Sequence, residues 1–166
     1  MGVNHLMILT EASPRKWEPH WDAISKNSCT TLKIIKENPL LPWRWGMVSR
    51  NYNLTVEFVA DNPDKPWCWK DMSSHHIVNI KTIRAFSDKP WYWPAVSRNR
   101  GITMADIVAN PDLPWDWVGV SQNPNLTMEM ILMHPGKSWN WGMVSRNRSI
   151  SMEDIVANLD MPWRWR

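Results

Sequence analysis

Cysteine is almost missing from this 166-residue chain. Cys29 and Cys68 are its only two, and neither forms a CxxC pair or a Cys/His zinc spacing. That excludes a disulfide framework and a thiolate zinc site, and it fits a reducing compartment. Glycine is scarce as well: its six residues never gather into a phosphate-cradling loop, which excludes the common nucleotide-binding motifs. No apolar run nears the roughly 20 residues that cross a bilayer. The opening MGVNHLMILTEASPRK holds only Leu6 to Leu9, too short for a signal-peptide core, and Leu6 stands where a myristoylation start wants Ser or Thr. A soluble, intracellular protein without membrane contact is expected. The formal net charge of +3, with a pI near 9.0, is mildly basic and decides little about partners.

Tryptophan is what the chain has in excess, with 14 residues against two Phe and two Tyr, and 13 Pro accompany them. The rings come in pairs at 43/45, 67/69, 91/93, 115/117, 139/141 and 163/165, each pair 24 residues after the last. One further step back from Trp45 reaches Trp21, with Pro19 in the place of the first ring and Trp17 slightly displaced. Numbered from the first Trp, the copies read W-x-W-G-x-V-S-R-N-x-x-I-T-M-E-D-I-V-A-N-P-D-L-P. Position 7 is Ser25, Ser49, Ser73, Ser97, Ser121 and Ser145. Position 9 is Asn27, Asn51, Asn99, Asn123 and Asn147, with His75 as the exception. Position 13 is Thr31, Thr55, Asn79, Thr103, Thr127 and Ser151.

The polar positions punctuate helices. A Thr, Ser or Asn at position 13 accepts a hydrogen bond from the free N–H groups of a following helix, and Asp106 and Asp154 three residues on complete capping boxes. This second helix runs about seven residues, turns Met104, Ile107 and Val108 to one face, and stops near Asn110-Pro111. The first helix is expected over roughly positions 1 to 8, carrying both tryptophans. Pro114 and its equivalents precede it, and the position-9 Asn closes it in a left-handed conformation. Residues two apart on a helix point about 200° from one another, so the two rings are expected to face opposite neighbours. Burial is worth up to about 4–6 kcal/mol per ring at ~25 cal/mol per Å². The invariant Ser is read as a small residue where helices approach closely. Neither helix is stable alone, so the fold class is an all-α solenoid of tandem 24-residue helix-turn-helix repeats with a Trp-rich core. Residues 1–18 form an N-terminal cap segment, and 19–166 hold six repeats and the start of a seventh in a single repeat domain.

The 24-residue period, with NPDLPWDW and VSRNRSISMEDIVAN, resembles the tryptophan-rich tandem-repeat proteins of giant DNA viruses of the mimivirus and megavirus group. The likeness runs from about residue 19 to the end. It implies an all-helical repeat protein in the host cytoplasm, without a catalytic residue to carry over. The copy from Trp67 to Pro90 departs most, since KDMSSHHIVNIKTIRAFSDKP lacks the Asn-Pro.

The candidate site residues lie on that frame. Position 2 varies most (Arg44, Cys68, Tyr92, Asp116, Asn140, Arg164), as a recognition surface or an unconstrained exposed position does. Position 8 is basic in Lys26, Arg50, Arg98 and Arg146, with Arg100 and Arg148 adding charge at position 10. A basic stripe beside aromatic rings suits single-stranded nucleic acid, yet rings needed for the core cannot stack on bases, and Arg at a helix end also complements the helix dipole. His75-His76 near Cys68 lacks the ligand spacing of a metal site, and Cys29 and Cys68 have no orienting partner for nucleophilic work. A cage of rings for cations or sugars needs a few in one place, whereas these recur regularly as a pair per copy. No cofactor is expected. The reading is a non-enzymatic scaffold for a protein partner, with Arg44, Tyr92, Asp116, Asn140, Arg50, Arg98 and Arg146 as its interaction surface. Trp163 and Trp165 are candidates for self-association as a homodimer, and nucleic-acid binding by the Arg/Lys stripe is the alternative.

Overall fold

The computed structural model describes residues 18–165, so the proposed N-terminal segment 1–18 falls, but for its last residue, outside them. Every regular element among the described residues is helical. In chain order they are α1 (Glu18–Lys26), α2 (Leu32–Glu37), α3 (Trp45–Val48), α4 (Val56–Ala60), α5 (Trp69–Met72), α6 (Ile80–Ala85), α7 (Trp93–Ser97), α8 (Met104–Ala109), α9 (Trp117–Ser121), α10 (Met128–Met133), α11 (Trp141–Val144) and α12 (Met152–Ala157). This is the expected all-α repeat solenoid, two short helices per 24 residues. The chain divides into two compact units, Met1–Asp71 and Met72–Arg166, with the division inside α5.

The second helix of each copy starts and stops as its sequence dictates. All six position-13 side chains accept from the N–H three residues on, and Thr103 and Ser151 form full capping boxes with Asp106 and Asp154. At the other end the amides of Asn38, Asn62, Asn110 and Asn158 donate back to the carbonyls of Ile34, Phe58, Asp106 and Asp154 at 2.7–2.9 Å. The divergent copy keeps this course. Asn79 caps α6, and Phe86 replaces the terminal Asn while its carbonyl still accepts the Lys89 N–H.

The first helix is shorter than expected. Only α1 spans positions 1 to 8; from α3 onward the helix starts at the second tryptophan, and position 2 is its N-cap. The first tryptophan therefore lies on an extended link. Two tight turns explain why. Asn110, Pro111, Asp112 and Leu113 make a β-turn closed by the Leu113 N–H on the Asn110 carbonyl, with Pro111 at the position where its fixed φ suits the turn. The Trp115 N–H then reaches the Leu113 carbonyl at 2.8 Å, a three-residue turn about Pro114. The prolines set a double bend, and no helix can begin until it is finished.

The Asn at position 9 ties successive copies together. Ser49, Arg98, Gln122 and Ser145 end their helices in the right-handed region, and the Asn side chain does other work. The Asn123 amide donates to the carbonyls of Ser97, Asn99 and Ile102 in the preceding copy, while its oxygen accepts the Asn125 N–H. Asn51 repeats the pattern on Ser25, Asn27 and Thr30. The invariant Ser is small where helices approach closely, as Ser97 is beside Gly119, and it is likewise a connector. Its Oγ accepts the position-2 N–H of the next copy at 2.9–3.0 Å in all six cases, from Ser25 and Arg44 to Ser145 and Arg164.

Apolar packing fills the space between these ladders. Val48, Val96, Val120 and Val144 at position 6, Leu54, Val78, Ile102 and Leu126 at position 12, and Ile35, Val59, Ile83, Ile107 and Ile131 at position 17 are buried. Through them α1 packs on α3 in the first unit, and α7 on α9 and α9 on α11 in the second. With positions 12 and 17 taking the inner side, Val108 at position 18 is left 48% exposed, contrary to its expected place in the core.

The Asn123→Ala variant leaves three carbonyls without that donor and is expected to destabilise the protein by about 2–3 kcal/mol, since unmet buried polar groups cost about that much. Gln122→Ala, which removes an exposed bond to Val118, is expected to stay within about 0.5 kcal/mol. Urea unfolding distinguishes the two; equal midpoints for both variants contradict the cross-copy role of Asn123.

Candidate functional site

Five junctions between copies, each within one unit, are built on a tryptophan contact. The second ring of one copy meets the first ring of the next edge to face: Trp21 with Trp43 and Trp45 with Trp67 in the first unit, Trp93 with Trp115, Trp117 with Trp139 and Trp141 with Trp163 in the second. Centroids lie 5.0–5.3 Å apart and the planes cross at 84–90°. The first ring is fixed by its own chain, because its Nε1–H donates to the carbonyl five residues earlier, at Asn38, Asn62, Phe86, Asn110, His134 or Asn158. The second ring is buried at Trp21 and half-buried from Trp45 to Trp141, and in two copies a lysine ammonium lies over its face: Lys65 over Trp45 at 5.1 Å and Lys137 over Trp117 at 5.2 Å.

A shallow groove lies at the same place in one copy of each unit. In the first unit it encloses about 270 Å³ between Ile35, Pro39, Trp43, Trp45, Phe58 and Lys65. In the second unit the same repeat positions, Ile107, Pro111, Trp115, Trp117, Met130 and Lys137, enclose about 340 Å³. These walls are apolar and carry a lysine at the rim, so the groove can hold an apolar side chain. The rings themselves are committed to packing, with a cation of their own chain on two of the faces.

Position 2, the N-cap of the first helix, serves two different purposes. Asp116 and Asn140 turn inward, and their side-chain oxygens accept the Gly119 and Met143 N–H groups. Arg44 and Tyr92 make no cap bond and face outward, Arg44 lying 3.7 Å from Asp22. Among the position-8 arginines, Arg50 is engaged by Asp71 at 2.9 Å, while Arg98 and Arg146 are exposed without an ion-pair partner among the described residues. Arg44 and Arg50 belong to the first unit and the other candidates to the second. Of the self-association pair, Trp163 is already packed on Trp141 and bonded to Asn158, whereas Trp165 is 64% exposed. Sequence reasoning missed Arg84, whose guanidinium grips both carboxylate oxygens of Asp112 at 3.0 Å and also the Asn110 side chain. The 26- and 28-residue spacings, one repeat plus two or four, are the signal that pointed to it.

His75 and His76 lie ring to ring at 4.4 Å, and the His75 Nδ1 accepts the Ile77 N–H at 3.5 Å, which is the task of the Asn oxygen in other copies. Among the described residues no three His, Cys, Asp or Glu side chains gather as a metal site, and no helix is long and apolar enough to cross a membrane. Compared with protein-family models, curated proteins and solved structures, the chain matches none.

The Arg50 hydrogen bond holds the Asp71 carboxyl below the usual range against the opposing effect of its partial burial, with the Cys68 thiol helping. A depressed carboxyl contributes stability that is fully present above the ordinary aspartate range, about pH 4, and is lost as pH falls through its folded value. Asp71→Asn is therefore expected to unfold more readily than the parent at neutral pH and to match it in acid. Thermal melts across pH check this; a gap between the two chains that persists unchanged into acid contradicts it.

Proposed function

We propose that the protein is a non-enzymatic helical-repeat scaffold that presents an extended surface to a protein partner. One observation carries the reading. Residues that recur in every copy are spent on the frame, while the exposed positions differ from copy to copy. Ser and Asn, the buried polar groups that a catalyst would need for chemistry, are here consumed by backbone atoms of neighbouring copies. The exposed set is mixed, as suits recognition of a protein: it holds Arg44 in the first unit and, in the second, Tyr92, Arg98 and Arg146 together with apolar Val108, Leu132 and Val156, which recur at position 18 on α8, α10 and α12.

Nucleic-acid binding is the second reading, supported by the exposed Arg98, Arg100, Arg146 and Arg148. Engagement of the indoles in edge-to-face contacts speaks against the single-stranded form of it, which relies on open rings. A homodimer through the last copy is a narrower form of the scaffold reading and rests on Trp165, Met152 and Val156, all more than half exposed. A viral origin and a place in the host cytoplasm belong to the same proposal and rest on the NPDLPWDW repeat.

The test is cross-linking of the full chain in a lysate, followed by mass spectrometry of the joined peptides. A partner protein linked reproducibly through the exposed lysines, and lost on Val108→Asp/Leu132→Asp substitution or on substitution of the exposed arginines, supports the scaffold. Recovery of nucleic acid as the sole specific ligand, or turnover of a small molecule by the purified chain, overturns it.

A further inference from the structure

We infer that the turns 98–100 and 146–148 of the second unit form an edge that binds an acidic segment of the partner protein. The inference rests on the scaffold reading and names the chemistry of what the scaffold holds. Both turns read Arg-Asn-Arg. In each, the central Asn points inward: Asn99 donates to the carbonyls of Ser73 and His75, and Asn147 to those of Ser121 and Asn123. Its oxygen takes the N–H two residues on, Gly101 in one turn and Ser149 in the other. With the Asn held from both sides, the backbone is fixed and the flanking Arg98, Arg100, Arg146 and Arg148 are exposed.

The first unit shows what such an arginine takes. Arg50, at position 8, donates to the carboxylate of Asp71, which stands at position 5 of the following copy. For Arg98 the residue in that place is Gly119. An acidic side chain cannot stand there, because α9 approaches α7 so closely that a Cβ on Gly119 would lie 2.8 Å from the Pro94 carbonyl oxygen and 2.9 Å from the Ser97 Cβ. The segments 98–102, 122–126 and 146–150 contain no Asp or Glu. Four guanidinium groups therefore stand on one edge with no carboxylate supplied by the described residues. Arg84 and Asp112 display the two-pronged pairing available to such a group at an exposed site.

A protein segment fits this edge better than a nucleic acid does. The charges come as two pairs with the neutral Gln122-Asn123-Pro124 turn between them, whereas a phosphate backbone asks for an unbroken track. The indoles at the adjoining junctions are packed against one another, so the edge offers no ring for a base.

The experiment is fluorescence anisotropy with the full chain and four labelled probes: oligo-glutamate, oligo-glutamine, oligo-thymidine and a short DNA duplex. Oligo-glutamate is expected to bind, to weaken as salt rises, and to lose affinity at least about tenfold when Arg98, Arg100, Arg146 and Arg148 are all changed to Gln. The Lys version of the same four positions, which keeps charge but loses the fork, is expected to fall in between. Arg50→Gln is expected to leave binding unchanged. Far-UV circular dichroism verifies that each variant is folded. Absence of oligo-glutamate binding at low salt, binding unaffected by the Gln variant, or tighter binding of either nucleic acid through the same arginines each overturns the inference. A cross-linked partner that survives the Gln variant leaves the scaffold reading standing and rejects this edge alone.

Discussion

The structure depends on a hydrogen bond made over five residues: the indole N–H of each first tryptophan reaches back to the carbonyl that ends the preceding helix. That one bond places a large apolar ring across the junction between copies, where the second tryptophan of the preceding copy meets its edge. Because the bond is local, a ring is positioned before any neighbour is present. Because the ring is wide, its correct position is also what lets the neighbour dock. Helices of four to six residues have no independent stability, and a preset ring at every junction is how so short a repeat can still stack.

Two hydrogen-bonded ladders convert this stickiness into register. The ring contact alone tolerates sliding, since an edge-to-face pair is attractive over a range of offsets. Ser at position 7 and Asn at position 9 remove that freedom, the first by taking one N–H of the next copy and the second by tying up to three carbonyls of the previous one. Ser97, Ser121, Asn51, Asn99 and Asn123 are buried, so a one-residue slip would strand polar atoms away from water. Apolar residues supply the driving force; the polar ladders specify the arrangement. Outward positions such as Arg98 and Arg146 take no part in either ladder, and the proposed recognition of a protein partner uses them.

Much of the fold was legible in the sequence because its signals are local and repeated. Thr103 and Asp106 announce a helix start by residue type and spacing alone, and a fixed 24-residue period announces stacking. The first helix was misread for the opposite reason. Pro114 was taken as an ordinary helix-leading proline, although the pair Pro111 and Pro114 encodes two successive turns that delay the helix to Trp117. The roles of Ser97 and Asn123 lay further out of reach, since their bonds span 19 to 26 residues and no short-range rule reports them. The unvarying Ser at position 7 was the clue. At the candidate surface, exposure at position 8 was readable for Arg98 and Arg146, but the capture of Arg50 by Asp71 required three dimensions. Position 2 was half legible: Asp116 and Asn140 are good N-caps by type, yet only the true helix start shows that they occupy that place.

The most direct test of this account is hydrogen exchange of the indole N–H groups, followed residue by residue by NMR. The account predicts strong protection at Trp67, Trp91, Trp115 and Trp139, whose N–H groups are bonded to main-chain carbonyls, and rapid exchange at the exposed Trp165. Exchange of all five at the rate of free indole would contradict it, because the rings would then be open to water instead of joining the copies.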